Sequence, residues 1–184
     1  MKTRIYSLFL IVLFPFLLAL TTSCNEEEVS DVNMYTNVSR SITSCITDIY
    51  NQNLAGKPSG TQNISAEGPL GGTVIITGSN SVSDDGLNSL DFSYELQSVK
   101  YIYVSQYYTT EITITGTITE KGSFKNDDNF KSISYKSTNI RITGSISYTE
   151  NNKMTREIDL SGNITINKGW STTDAIISGY SVSY

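Results

Sequence analysis

Histidine is absent from the 184 residues, cysteine occurs twice, proline three times and tryptophan once. Each shortage removes a class of reading. Without histidine there is no Ser-His-Asp triad, no usual zinc ligand set and no side chain that ordinarily titrates near neutral pH. Two cysteines 21 positions apart, Cys24 and Cys45, give neither a C-x-x-C redox pair nor the framework of a disulfide-rich scaffold. Basic residues (13) are outnumbered by acidic ones (18), so the cationic footprint of a nucleic-acid binder is missing and no nucleic-acid partner is expected. Alanine occurs only four times, against a helical bundle. Neither GxxxxGK[ST] nor GxGxxG is present to cradle phosphates. No cofactor, no metal and no catalytic residue is expected, and the chain reads as a non-enzyme.

What the chain has in abundance is serine (26), threonine (22) and isoleucine (21), a bias toward residues that suit a pleated surface. At its start, Lys2 and Arg4 precede an apolar stretch from Leu8 to Leu20, the layout of a secretory signal over 1–23. That stretch is shorter than the roughly 20 residues needed to cross a bilayer as a helix. Polar residues then lead to Leu20-Thr21-Thr22-Ser23-Cys24 and the acidic run Asn25-Glu26-Glu27-Glu28.

Leu20 to Cys24 resembles the lipobox of bacterial lipoproteins, and the acidic run is similar to the export tag of Bacteroidetes-type surface lipoproteins. The resemblance covers about the first 28 residues. It implies that Cys24 becomes the first residue of the mature chain and carries the lipid, followed by an acidic tether over 24–30. It also implies an outer-membrane location with exposure at the cell surface, the membrane being a partner through that lipid. Several acyl chains together hold a protein firmly on a bilayer. The alternative is an ordinary signal peptide with a cysteine near its cleavage site. With Cys24 acylated, Cys45 has no partner, and Ser44-Cys45-Ile46 suits a buried small apolar side chain.

One domain is expected over 31–184. Met34, Val38, Ile42, Cys45, Ile46 and Ile49 recur at intervals of three and four, one face of an amphipathic helix over about 31–54, with Asp31 and Asn33 as candidate caps. Gly56 to Gly72, rich in glycine and with two prolines, reads as a loop. Beyond it the grammar is that of strands. Ile112-Thr113-Ile114-Thr115-Gly116-Thr117-Ile118 alternates apolar with polar, as do Ile140 to Tyr148 and Ile158 to Ile166. Turns are expected at Asp84-Asp85-Gly86, Asn126 to Asn129, Asn151-Asn152-Lys153 and Lys168-Gly169. Between Phe92-Tyr94-Leu96 and Val99-Tyr101-Tyr103 the apolar parity switches, which a bulge near Gln97-Ser98 would explain. Covering of both faces there is the other explanation.

An apolar residue followed by Ser or Thr and then Gly ends at Gly78, Gly116, Gly144, Gly162 and Gly179. Glycines on an apolar strand face let a sheet bend. The expected fold is therefore mainly β: a curled antiparallel meander of about six strands, a half-barrel or a barrel, with one N-terminal helix.

Candidate contact residues are aromatic. Tyr101, Tyr103, Tyr107 and Tyr108 cluster in the sequence, with Tyr180 and Tyr184 at the end. They could form an exposed binding face or support the sheet as cross-strand pairs. Trp170 could stack on a sugar, rest at a membrane surface or fold back on the sheet edge. Glu95, Glu111, Glu157 and Asp159 are the carboxylates that a glycosidase could in principle use. The expectation is a lipid-anchored binding or adhesion module for a glycan or a surface protein. The alternative is a carrier or sensor of a hydrophobic small molecule in a lipocalin-like cavity. If the helix lies inside the curl, its apolar face closes the core and leaves no cavity.

Overall fold

Ser30 starts the helix α1 (Asp31–Asn53): its side chain accepts a hydrogen bond from the Asn33 backbone N–H, a role the sequence had suggested for Asp31 or Asn33. Asp31 instead sits in the first turn, where its charge suits the positive end of the helix dipole. The computed structural model describes residues 29–125, 131–148 and 155–184. The signal segment, Cys24, the acidic run and the turns expected at Asn126 to Asn129 and at Asn151 to Lys153 lie outside them. All six residues of the apolar stripe, Met34 through Ile49, are buried, and so are Asn37, Ser39, Ser41 and Thr43. Ser41 and Thr47 donate to carbonyls one turn back, which satisfies hydroxyls that packing takes from water.

Among the described residues eight strands follow, two more than expected: β1 (Gly60–Glu67), β2 (Thr73–Val82), β3 (Asn88–Val104), β4 (Tyr108–Phe124), β5 (Lys131–Tyr148), β6 (Thr155–Lys168), β7 (Thr173–Ile177) and β8 (Tyr180–Ser183). They pair antiparallel in chain order, with β1 and β8 as edges, so the sheet is not closed into a barrel. Two corrections account for the count. Gly60 to Glu67 is not loop but an edge strand, completed by pairing with β2 from Gly60 opposite Asn80 to Glu67 opposite Thr73. Ile177-Ser178-Gly179 is not a strand repeat. Ser178 (φ 49°) and Gly179 (φ 87°) form a two-residue hairpin turn that splits the last segment into β7 and β8.

The sheet wraps the helix. Strands from β3 to β8, five strand spacings or about 24 Å apart in a flat sheet, both contact α1, whose diameter is about 10 to 12 Å. The expected bulge is present: pairing between β3 and β4 shifts between Leu96 and Val99, and Ser98 takes φ 55°. One extra residue moves the inward set from Phe92, Tyr94 and Leu96 to Val99, Tyr101 and Tyr103. Gly78 and Gly144 show why glycine recurs on the inward parity. At φ 139° and 152° they let a neighbouring strand come so close that a Cβ would run into the carbonyl oxygens of Asp91 and Glu111. The core is thus one contiguous cluster of helix and sheet side chains, with Val38, Ile42, Ile46, Ile76, Tyr94, Ile114, Ile142 and Ile166 at its centre. No helix among the described residues is long and apolar enough to cross a membrane.

The meander gives the molecule two ends. The end of β3, the start of β4, the end of β5 and the start of β6 lie at one end, and the end of β2, the start of β3, the end of β4, the start of β5 and the β6–β7 connection at the other. The start of α1 belongs to the first: Asn33 Nδ2 donates to the Tyr108 hydroxyl at 2.7 Å, and Arg156 holds both the Val29 carbonyl (2.8 Å) and the Asp31 carboxylate.

Candidate functional site

The tyrosines do not share one exposed face. Tyr101 donates to Asp48 on α1 at 2.7 Å, Tyr184 donates to Ser39 at 2.9 Å while Arg40 lies over its ring, and Tyr35 stacks on Tyr180 at 4.3 Å. Tyr108 packs on Tyr148 at 4.9 Å, and Tyr103 is half-buried. Tyr108 and Tyr148 are thus a cross-strand pair between β4 and β5, as one of the two expectations has it, while Tyr101, Tyr108, Tyr180 and Tyr184 also attach the helix to the sheet, a use that neither expectation includes. Burial and the Asp48 carboxylate push the Tyr101 phenol above its ordinary range, and burial pushes Tyr108 up to about 12. Cys45 is buried on the same helix, its thiol pushed up to about 12 by burial and by Asp48, which makes it a packing residue. Tyr107 and Trp170 alone of the five aromatic candidates are exposed, at 60% and 63%, and they lie at opposite ends of the sheet.

The strongest buried polar group was not anticipated. Glu120 is 2% exposed on the inward face of β4, where Tyr94 donates to its carboxylate at 2.6 Å. Tyr135 also hydrogen-bonds it, and Lys131 and Lys168 lie near enough to favour its charge. Burial outweighs these effects and raises its carboxyl above the ordinary carboxylate range. Tyr94 and Tyr135 are raised in turn, by burial and then by Glu120. Lys168 is lowered, by burial and by Lys131. The parity of β4 held the signal: Glu120 falls in the series Ile112, Ile114, Gly116, Ile118, where an apolar residue belongs. Tyr94 and Tyr135 occupy this carboxylate from within the core.

The opposite, outward face carries a polar row at the far end of the sheet. Register places Asp91, Lys121, Ser134, Asn167, Asp174 and Ser183 side by side across six strands. Lys121 pairs with Asp91 at 2.9 Å and Ser183 donates to Asp174 at 2.7 Å, fixing the two flanks. Between them the Ser134 hydroxyl is buried without a hydrogen-bond partner. A shallow groove of about 450 Å³ follows this row and includes Gly169 and Thr172 of the β6–β7 loop, the loop that carries Trp170. Lys121, Ser132, Ser134, Asn167, Thr172 and Asp174 therefore line one open depression, with an exposed indole on its bordering loop.

Glu95, Glu111, Glu157 and Asp159 are exposed on the outward face, where Asp159 meets Arg141 at 3.5 Å. The turn at Asp84-Asp85-Gly86 joins β2 to β3, and Asp85 is held below its ordinary range by the Ser83 hydroxyl and by Lys125. Among the described residues no group of three or more His, Cys, Asp or Glu side chains is placed to hold a metal. No family model matches the chain, no curated protein matches it, and no solved structure matches its fold.

Proposed function

We propose that this chain is a lipid-anchored cell-envelope protein, held at the outer membrane through Cys24 and exposed at the cell surface, that acts as a non-enzymatic binding module. Its ligand is a glycan, taken at the outward polar row beside Trp170. The observation that carries the proposal is the position of Trp170: 63% exposed, on a loop bordering the groove, at the end of the sheet away from the start of α1. Sugar rings offer a hydroxyl-rich edge and an apolar C–H face, and a row of hydroxyl, amide and charged groups next to an indole matches both. The carrier alternative is disfavoured because α1 packs within the curl, where such a ligand would sit.

Trp170 is the single tryptophan, so its emission reports on its own surroundings. Titration of the unlipidated chain from Asn25 to Tyr184 with a panel of bacterial and host polysaccharides is expected to shift that emission for at least one of them. Trp170→Ala is expected to weaken the binding, read by calorimetry, about tenfold, which corresponds to ~1.4 kcal/mol. Equal affinity in Trp170→Ala, or capture of a surface protein while every glycan fails, would place the binding surface elsewhere.

A further inference from the structure

We infer that the end of the molecule bearing Val32, Val104 and Tyr107 rests on the membrane surface and fixes the protein upright, with the Trp170 loop directed away from the bilayer. This rests on the proposal that Cys24 carries the lipid. The five residue steps from Cys24 to Val29 reach at most about 18 Å even when fully extended. Val29 is buried, and its carbonyl is held by Arg156, so Val29 is a fixed point of the folded domain. A lipid on Cys24 therefore keeps that end of the domain close to the headgroups.

Three large apolar side chains are exposed at this end. Val32, in the first turn of α1, is 56% exposed; Val104, at the end of β3, is 61% exposed; Tyr107, in the β3–β4 turn, is 60% exposed. The turn is tied to the helix start by the Asn33–Tyr108 hydrogen bond, and the Ser105 backbone N–H donates to the Tyr108 carbonyl, so these side chains sit on a rigid tip. Scattered apolar side chains on a surface need no explanation. Three on one tip, within reach of a lipid anchor, have an occupant in the interfacial layer of the bilayer, where valine and the amphipathic ring of tyrosine are both at ease. The charge pattern sets the depth. Glu111 and Glu157, exposed on the outward face beyond the tip, keep the side of the sheet out of hydrocarbon, which leaves the tip as the contact. Helix α1, about 34 Å long over its 23 residues, spaces this tip from the opposite end.

The test uses the full-length lipidated protein in phosphatidylcholine vesicles with brominated or ordinary acyl chains, bromine being a short-range quencher of tryptophan. Trp170→Phe combined with Tyr107→Trp places the reporter on the tip, and the wild-type chain keeps it on the far loop. The tip variant is expected to lose emission in brominated vesicles, the wild type to keep it, and Val104→Asp added to the tip variant to reduce the loss. Equal emission of the tip variant in both vesicle types, while the protein still floats with the vesicles, overturns the seat and leaves the anchor standing. A chain whose intact mass shows no acyl group on Cys24 and which does not float overturns the anchor, and the seat falls with it.

Discussion

Glu120 is a carboxylate on the apolar face of β4, and its energetics follow from burial. A carboxyl raised above its ordinary value binds a proton more tightly in the folded chain than in the unfolded one, so the stability it contributes is full below about pH 4.5 and is lost as pH rises through the folded value. The urea midpoint of the soluble chain is therefore expected to fall between pH 4 and 8 more steeply than in Glu120→Gln, which keeps a hydrogen-bonding partner for Tyr94 and has nothing to titrate. Parallel slopes in the two proteins would mean that Glu120 is hydrated in solution. Glu120 could have been found in the sequence by its parity alone, among isoleucines at every second position. Its partners could not, because Tyr94 and Tyr135 come from two other strands, and only the register brings them together.

Elements were legible wherever their own sequence repeats with the period of the structure. The three-and-four spacing from Met34 to Ile49 marked α1, and the change of parity after Leu96 marked the bulge, since both are local signals. β1 was not legible: Gly60-Thr61-Gln62-Asn63-Ile64-Ser65-Ala66-Glu67 has a single large apolar residue, and the segment becomes a strand by pairing with β2. The final hairpin was missed because Ser178-Gly179 continues the motif that strands carry, while its positive φ angles are a property of the turn. Two stability effects belong to this scale. Ser30→Ala removes the helix cap and is expected to lower unfolding free energy by about 1 kcal/mol, read from chemical denaturation. Gly144→Ala forces a Cβ toward the Glu111 carbonyl at a positive φ and is expected to cost more than about 1 kcal/mol, whereas Gly162→Ala, at φ 113° with open space around it, is expected to cost less. Equal losses at the two glycines would show that φ alone, and not the close approach of β4 to β5, sets the cost.

Over the whole molecule, the decisive feature is that α1 lies within the curl of the sheet, which periodicity cannot foretell: it marks which faces are apolar but not which faces meet. The candidate site was half-legible for the same reason. Trp170 was visible as a lone aromatic after Lys168-Gly169, but its exposure rather than folding back on the sheet edge is a structural finding, and the polar row beside it comes from six strands and appears only once they are in register. Of the tyrosines read as an exposed face or as cross-strand pairs, Tyr108 pairs with Tyr148, Tyr101 and Tyr184 are held to the helix, and Tyr107 is exposed. With the helix in place, its isoleucines fill the concave side, and the proposed binding is assigned to the outside; that filled core is the central claim and the one that separates the proposed binding module from a carrier. Native mass spectrometry of the unlipidated chain from Asn25 to Tyr184 tests it most directly. A filled core predicts the bare chain mass under native and denaturing conditions alike; an excess of a few hundred daltons that disappears on denaturation, carried by an apolar molecule, would contradict it.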